Sequence, residues 1–246
     1  MKRSLAAHRS RCYRNTPVAA LLSSLTSVSL TCLGFILHQE SALELEARVA
    51  HAQKARHFAH SASSNSAAIN QHSTQVAFVE DLIEDDIPSH PNKESIAQLI
   101  VAESRKADID PLLVTAVVRT ESMFRHKAVS HRGAKGLMQL MPSTGHYVSK
   151  LSKIELRNSE HLHDPETNIK LGIWYLKYLN EKFKGNQERV LVAYNWGPSN
   201  VKKALARGSA VPQQARDYAH KVLSRHSAWS TRLRQFASVR AATSVG

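Results

Sequence analysis

The chain has 246 residues, long enough for one good-sized core with accessory segments. Lys and Arg number 33 against 20 Asp and Glu, and the formal net charge of +13 suits anionic partners without choosing among nucleic acid, acidic lipid and an acidic cell-wall polymer. Both cysteines, Cys12 and Cys32, lie near the N-terminus, which excludes a thiol nucleophile, a zinc ribbon or a disulfide scaffold for everything downstream.

The N-terminus has the pattern of an export segment. Lys2, Arg3, Arg9, Arg11 and Arg14 precede an uncharged run over 17–37, "PVAALLSSLTSVSLTCLGFIL". This is long enough to cross a bilayer, although its serines and threonines make it only moderately apolar. A cleavable signal has a shorter apolar region and a small-x-small cleavage site. Here His38, Gln39 and Glu40 follow directly, which favours an uncleaved anchor over a cleaved signal peptide. A lipoprotein-type site at Cys32 and a buried core helix are the remaining alternatives. If the run is helical, Cys12 and Cys32 are about 30 Å apart and cannot pair. Residues 1–16 form a cytoplasmic basic flank, and the rest is exported.

Residues 38–91 predict a stalk and flexible linker. Ala42–His60 is rich in Ala, Glu, Arg and His, "SASSNSAAINQHST" lacks large apolar residues, and the acidic "VAFVEDLIEDDIPSHPNK" ends in two prolines. Helical patterns follow from Asn92. Lys93–Lys106 offers Ile96, Leu99, Ile100 and Ala102 on one side; Asp110-Pro111 opens the next helix; Pro142 opens another. Asp164-Pro165 starts a run with Ile169, Ile173, Leu176 and Leu179, stopped by Gly185. Shorter helices cover Gln187–Tyr194, Ser199–Ala206 and Gln214–Ser224. Alternating strand patterns are nearly absent, so 92–228 reads as a mainly α unit, with 229–246 a basic tail. From Lys93 onward the chain holds 25 basic and 12 acidic residues, so this part carries the whole charge excess.

Within "AVVRTESMF", Glu121 stands out. At 100° per residue it falls about 40° from Val117 and about 20° from Val114, inside the apolar arc, while Arg119 points away. A carboxyl facing a core resists ionisation unless it pairs with a basic neighbour, and the helix alone leaves both readings open. The dense "HLH" at 161–163 lacks a third spaced ligand and reads as surface imidazoles, so no metal is expected. No HExxH, GxSxG, P-loop or nucleic-acid motif is present. In "HRGAKGLMQLMPSTG", Gly133 and Gly136 precede an apolar turn with one amide, Gln139, suited either to orienting a ligand or to bonding internally. "VAYNWGP" ends a helix at Gly197-Pro198; Tyr194 and Asn195 there fit caps or ligand contacts, and Trp196 fits core.

"ESMF" at 121–124, "AVSHRGAKGLMQLMPST" at 128–144, "NIKLGIWYL" at 168–176 and "AYNWGP" at 193–198 stand in the order and spacing of a known family. With "ARDYAHKVL" at 215–223, the stretch 93–225 resembles the catalytic domain of soluble-lytic-transglycosylase (SLT) type lytic transglycosylases, which have a goose-lysozyme-like fold. The resemblance implies a peptidoglycan-cleaving enzyme of the bacterial envelope, periplasmic and without cofactor. Glu121 would be its sole acid/base, and the product a 1,6-anhydro sugar. It further implies that Gln139, Tyr194 and Asn195 bind sugar, that Tyr194 also orients the carboxyl, and that Ser130 lies near the acetamido group. Met138 would pack on a sugar face or in the core. Trp196 departs from the small residue usual in the family. A hydrolytic muramidase and an inactive peptidoglycan-binding or secretion-associated scaffold are the alternatives. The expected partners are glycan strands and, through the anchor, the bacterial membrane, with no nucleic acid.

Overall fold

The computed structural model describes the backbone of residues 19–243 and the side chains of residues 45–61 and 68–240. The chain divides into two units, residues 1–66 and 67–246. The helix α1, Ala19–Asp86, begins in the first unit, where its described side chains are exposed, and ends in the second. The expected basic flank over 1–16 lies outside the described residues. The uncharged run over 17–37 enters the described backbone only from residue 19, and its side chains lie outside it. Among the described residues no helix is long and apolar enough to cross a membrane.

The second unit holds α2 (Lys93–Ala107), α3 (Pro111–Ser122), α4 (Pro142–Ser152), a 3₁₀ turn (Ser159–His163), α5 (Pro165–Lys182), α6 (Gln187–Trp196), α7 (Pro198–Arg207) and α8 (Gln213–Thr243). The starts follow from local chemistry. Asp110 Oδ1 accepts the Leu112 N–H at 2.9 Å, Asp164 Oδ2 accepts the Thr167 N–H at 2.8 Å, and Asn186 Oδ1 accepts the Arg189 N–H at 2.9 Å. Proline follows the first two caps at the first helical position. The helix α3 is the centre. Residues 111–118 are all buried, as expected of a helix apolar on every side, and α3 packs against α2 and α8. Among the described residues the backbone forms no named strand, only isolated bridges of Lys135 with Val129 and Leu140.

Two expected boundaries are corrected. The stretch read as linker up to Pro91 contributes Val76, Phe78, Val79, Leu82 and Ile83 to the core. Its apolar residues recur at helical spacing, and three of its acids pair with arginines of the same unit: Asp86 pairs with Arg119 of α3, and Asp81 and Asp85 each lie 2.6 Å from Arg232. The basic tail from residue 229 is likewise helix, continuing α8 to Thr243, with Trp229, Leu233 and Phe236 against the core. The Phe236 ring sits 5.3 Å from that of Phe78.

Candidate active site

Glu121 lies one residue before the end of α3. After Ser122 the chain turns through Met123 (φ +50°) and Phe124 (φ +60°), two consecutive non-glycine residues in the left-handed region. Such geometry costs on the order of 1 kcal/mol per residue or more, and burial of Phe124 at 0% exposure offsets it. Beside Glu121 lies a groove of about 620 Å³, lined by Ser130, Gln139, Tyr194, Asn195 and Trp196 among others. Glu121 is the one acidic residue lining that groove among the described residues.

The carboxyl is shielded, and its pKa rises from 4.5 to about 7. Desolvation is the larger cause; a hydrogen bond from the Tyr218 hydroxyl to Oε1 at 2.7 Å pulls the other way. Tyr218 sits on α8, which is stitched to α3 twice more. Arg225 Nη1 donates to Thr120 Oγ1 at 2.8 Å, and His226 Nε2 lies 2.6 Å from Asp110 Oδ2.

Opposite Glu121, the loop 128–140 is folded tightly on itself. Lys135 and Leu140 exchange both backbone hydrogen bonds at 3.0 Å, and Gly136 N donates to Ala128 O at 3.0 Å. Gln139 closes the loop at φ +46°, and its amide nitrogen donates to the carbonyls of Gly136 (2.9 Å) and Ala128 (3.1 Å). Fully buried Asn168 of α5 holds the loop from below. Its Oδ1 accepts the Met138 N–H at 2.7 Å, and Nδ2 donates to Lys135 O (3.0 Å) and Leu162 O (2.8 Å). A Cβ on Gly136 (φ +80°) would stand 2.2 Å from both Asn168 Nδ2 and Leu162 O, so only glycine fits.

The structure brings Glu121, Ser130, Gln139, Tyr194 and Asn195 together around one groove. Met138 is the exception. Its side chain has 0% exposure, and its sulfur fills the space where a Cβ on Gly172 would lie, 2.3 Å away. Met138 is therefore core, because Asn168 pulls its backbone inward. Tyr194 lies within electrostatic reach of Glu121, but its hydroxyl donates to Met138 O at 2.8 Å. The hydroxyl that orients the carboxyl is Tyr218's, which the sequence reading left unassigned. Its register was the available signal: with Ala215, Ala219 and Val222 buried at helical spacing, Tyr218 lies in an apolar stripe with a polar tip to satisfy.

Residues 98–216 match the family model described as Transglycosylase SLT domain. This segment is an SLT-type transglycosylase domain. The chain is 37% identical over 112 residues to the soluble lytic murein transglycosylase of Salmonella typhimurium, covering 45% of this chain and 17% of the relative. It is 33% identical over 132 residues to membrane-bound lytic murein transglycosylase C of Sodalis glossinidius, covering 49% and 37%. Among solved structures, an inactive glutamate-to-glutamine variant of lytic transglycosylase Slt from Pseudomonas aeruginosa matches with TM-score 0.51 and 31% identity, over 55% of this chain and 24% of that one. The 70 kDa soluble lytic transglycosylase of Escherichia coli matches with TM-score 0.52 and 25% identity, over 65% and 30%. The chain thus spans well under half the length of these relatives. The SLT match begins after α1 and ends within the first turn of α8, so Glu121 and its groove fall inside it while Tyr218 stands just outside.

Proposed function

We propose that this chain is a lytic transglycosylase of the bacterial envelope, cleaving the β-1,4 bond between N-acetylmuramic acid and N-acetylglucosamine in peptidoglycan without water. The observation that carries this reading is Glu121: one shielded carboxyl, half protonated near neutrality, with no second acid among the described residues of a groove wide enough for sugars. Neutral Glu121 donates its proton to the departing glycosidic oxygen. The usual two-carboxylate scheme needs a second acid as nucleophile or base, and the described groove residues offer none. The muramoyl N-acetyl group supports the developing positive charge instead. The Glu121 carboxylate then takes the proton of the same sugar's C6 hydroxyl, which attacks the anomeric carbon and closes a 1,6-anhydro ring. That attack is intramolecular and gains from effective concentration. Names of relatives agree with the reaction, as does the inactivity of the Pseudomonas glutamate-to-glutamine variant.

In this reading Gln139, Asn195 and Ser130 bind sugar, Tyr194 holds the loop that carries Gln139, and Tyr218 sets the carboxyl. Residues 17–37 serve for export, as an anchor in the inner membrane or as a cleaved signal. The support is the basic flank followed by an uncharged run, and a membrane-bound relative. The test is Glu121→Gln. We expect the wild-type chain to release muropeptides one water lighter than their reducing counterparts from isolated sacculi, and the variant to release less than about a hundredth as much. Products carrying the extra water would make the enzyme a hydrolase; undiminished release from the variant would overturn the mechanism.

A further inference from the structure

Between Arg125 and Lys135 the chain carries four Lys or Arg and two His with no acidic residue. Two of these charges have structural work: Lys135 pairs with Glu160, and Arg125 Nε donates to Ser122 O at 3.1 Å. His131 and Arg132 have no ion pair among the described residues, and both are exposed on the rim of the groove that holds Glu121. They are not on a loose tip. Ser130 N donates to Ala134 O at 2.9 Å, Ala134 N to Ser130 Oγ at 3.0 Å, and Gly133 N to Ser130 O at 2.9 Å, with Gly133 at φ +81°. Nor do they tune the acid: Glu121 owes its pKa to desolvation and Tyr218, with no share from Arg132. A guanidinium carried by a tied-down turn at the lip of a substrate groove, with neither a structural partner nor an influence on the acid, is free to meet an anion on the substrate.

We propose that His131 and Arg132 form a rim that reads the carboxylates of the peptide borne by the muramoyl sugar, making peptide-bearing strands the preferred substrate over bare glycan. This deepens the transglycosylase reading and rests on it. The peptide leaves the sugar from its lactyl ether, outward from a ring seated beside Glu121, so its carboxylates emerge at the lip. The guanidinium fork matches a carboxylate in two hydrogen bonds, and the imidazole adds a third donor.

The experiment uses the full chain and two pools prepared from the same sacculi, glycan strands with uncrosslinked peptides and strands stripped of peptide by an amidase, with the lactyl carboxylate that the amidase exposes capped as its methylamide. Wild type is expected to prefer the first pool in kcat/KM. His131→Ala/Arg132→Ala should lower that ratio about tenfold, chiefly through KM, and Arg132→Lys should recover part of it. Added salt should shrink the wild-type preference and leave the double variant's ratio flat. Equal kcat/KM on both pools in wild type, or an unchanged ratio in the double variant, would overturn the rim. Calorimetric binding of a soluble peptide-bearing muropeptide and its stripped counterpart to Glu121→Gln, with and without the rim substitutions, gives a readout independent of turnover. Anhydro products with an unchanged ratio refute the rim alone. Absence of anhydro products from both pools refutes the reaction, and the binding preference still decides the rim.

Discussion

At Glu121 two influences oppose each other, and their balance sets when the proton is available. Burial favours the neutral acid, while the Tyr218 hydroxyl favours the anion. The free enzyme needs the acid form, so kcat/KM should fall above an apparent pKa of about 7. Tyr218→Phe removes the bond that favours the anion and should move this descending limb to higher pH, measurable in the pH profile of anhydromuropeptide release. Stability carries the same information with a definite sign. A carboxyl raised from 4.5 to about 7 contributes its full stability below the unfolded value and loses it as pH climbs through 7. Glu121→Gln does not titrate, so relative to wild type it should gain on the order of 3 kcal/mol between pH 4 and pH 8.5, read from denaturant midpoints at the two values. Glu121 was legible in the sequence because a carboxyl on an apolar helical arc is conspicuous in one dimension. Its partner was not, because Tyr218 is 97 residues away and meets it only through the packing of α8 on α3.

The elements divide along the same line between local and distant causes. Helix starts at Asp110-Pro111 and Asp164-Pro165 were legible because capping is settled within four residues. The role of "NIKLGIWYL" was not, since Asn168 and Gly172 act on a loop some 30 residues earlier. Asn168 bonds Met138, Lys135 and Leu162 together, and Gly172 leaves room for the Met138 sulfur, which is why a methionine that could have met sugar is core instead. This arrangement makes the loop fragile at two defined points. Asn168→Ala leaves the buried Met138 N–H without a partner and should cost about 2–4 kcal/mol. Gly136→Ala meets backbone 2.2 Å away at a positive φ and should cost more than about 3 kcal/mol. Because the same loop carries Gln139 into the groove, both variants should lose kcat/KM beyond the fraction unfolded, checked by activity at a temperature where circular dichroism is still native.

On the scale of the whole molecule, the SLT match stops short of the folded unit on both sides. The end of α1 and the second half of α8 lie outside residues 98–216, yet both are packed into the core. The acidic composition of 80–86 made this stretch resemble a boundary, but composition does not say which face the acids occupy. Val76, Phe78, Val79, Leu82 and Ile83 point inward while Asp81, Asp85 and Asp86 meet arginines. The magnitudes decide which of these contacts matters. Exposed ion pairs such as those of Arg232 contribute about 0–1 kcal/mol each, whereas each buried aliphatic or aromatic side chain contributes about 1.5–3 kcal/mol. Removing five such side chains exceeds the 5–15 kcal/mol or so that holds a typical domain folded, at least at its lower end. A fragment of residues 92–246 should therefore melt without a cooperative transition or aggregate, while one of residues 67–246 should unfold cooperatively in circular dichroism and retain Glu121-dependent activity. Arg232→Ala in the longer fragment should move stability by less than about 1 kcal/mol, and Phe78→Ala by about 3–5 kcal/mol. Equal melting of the two fragments would mean that α1 merely rests on a domain complete without it, and the buried face of residues 76–83 would then contribute nothing to the fold that positions Glu121.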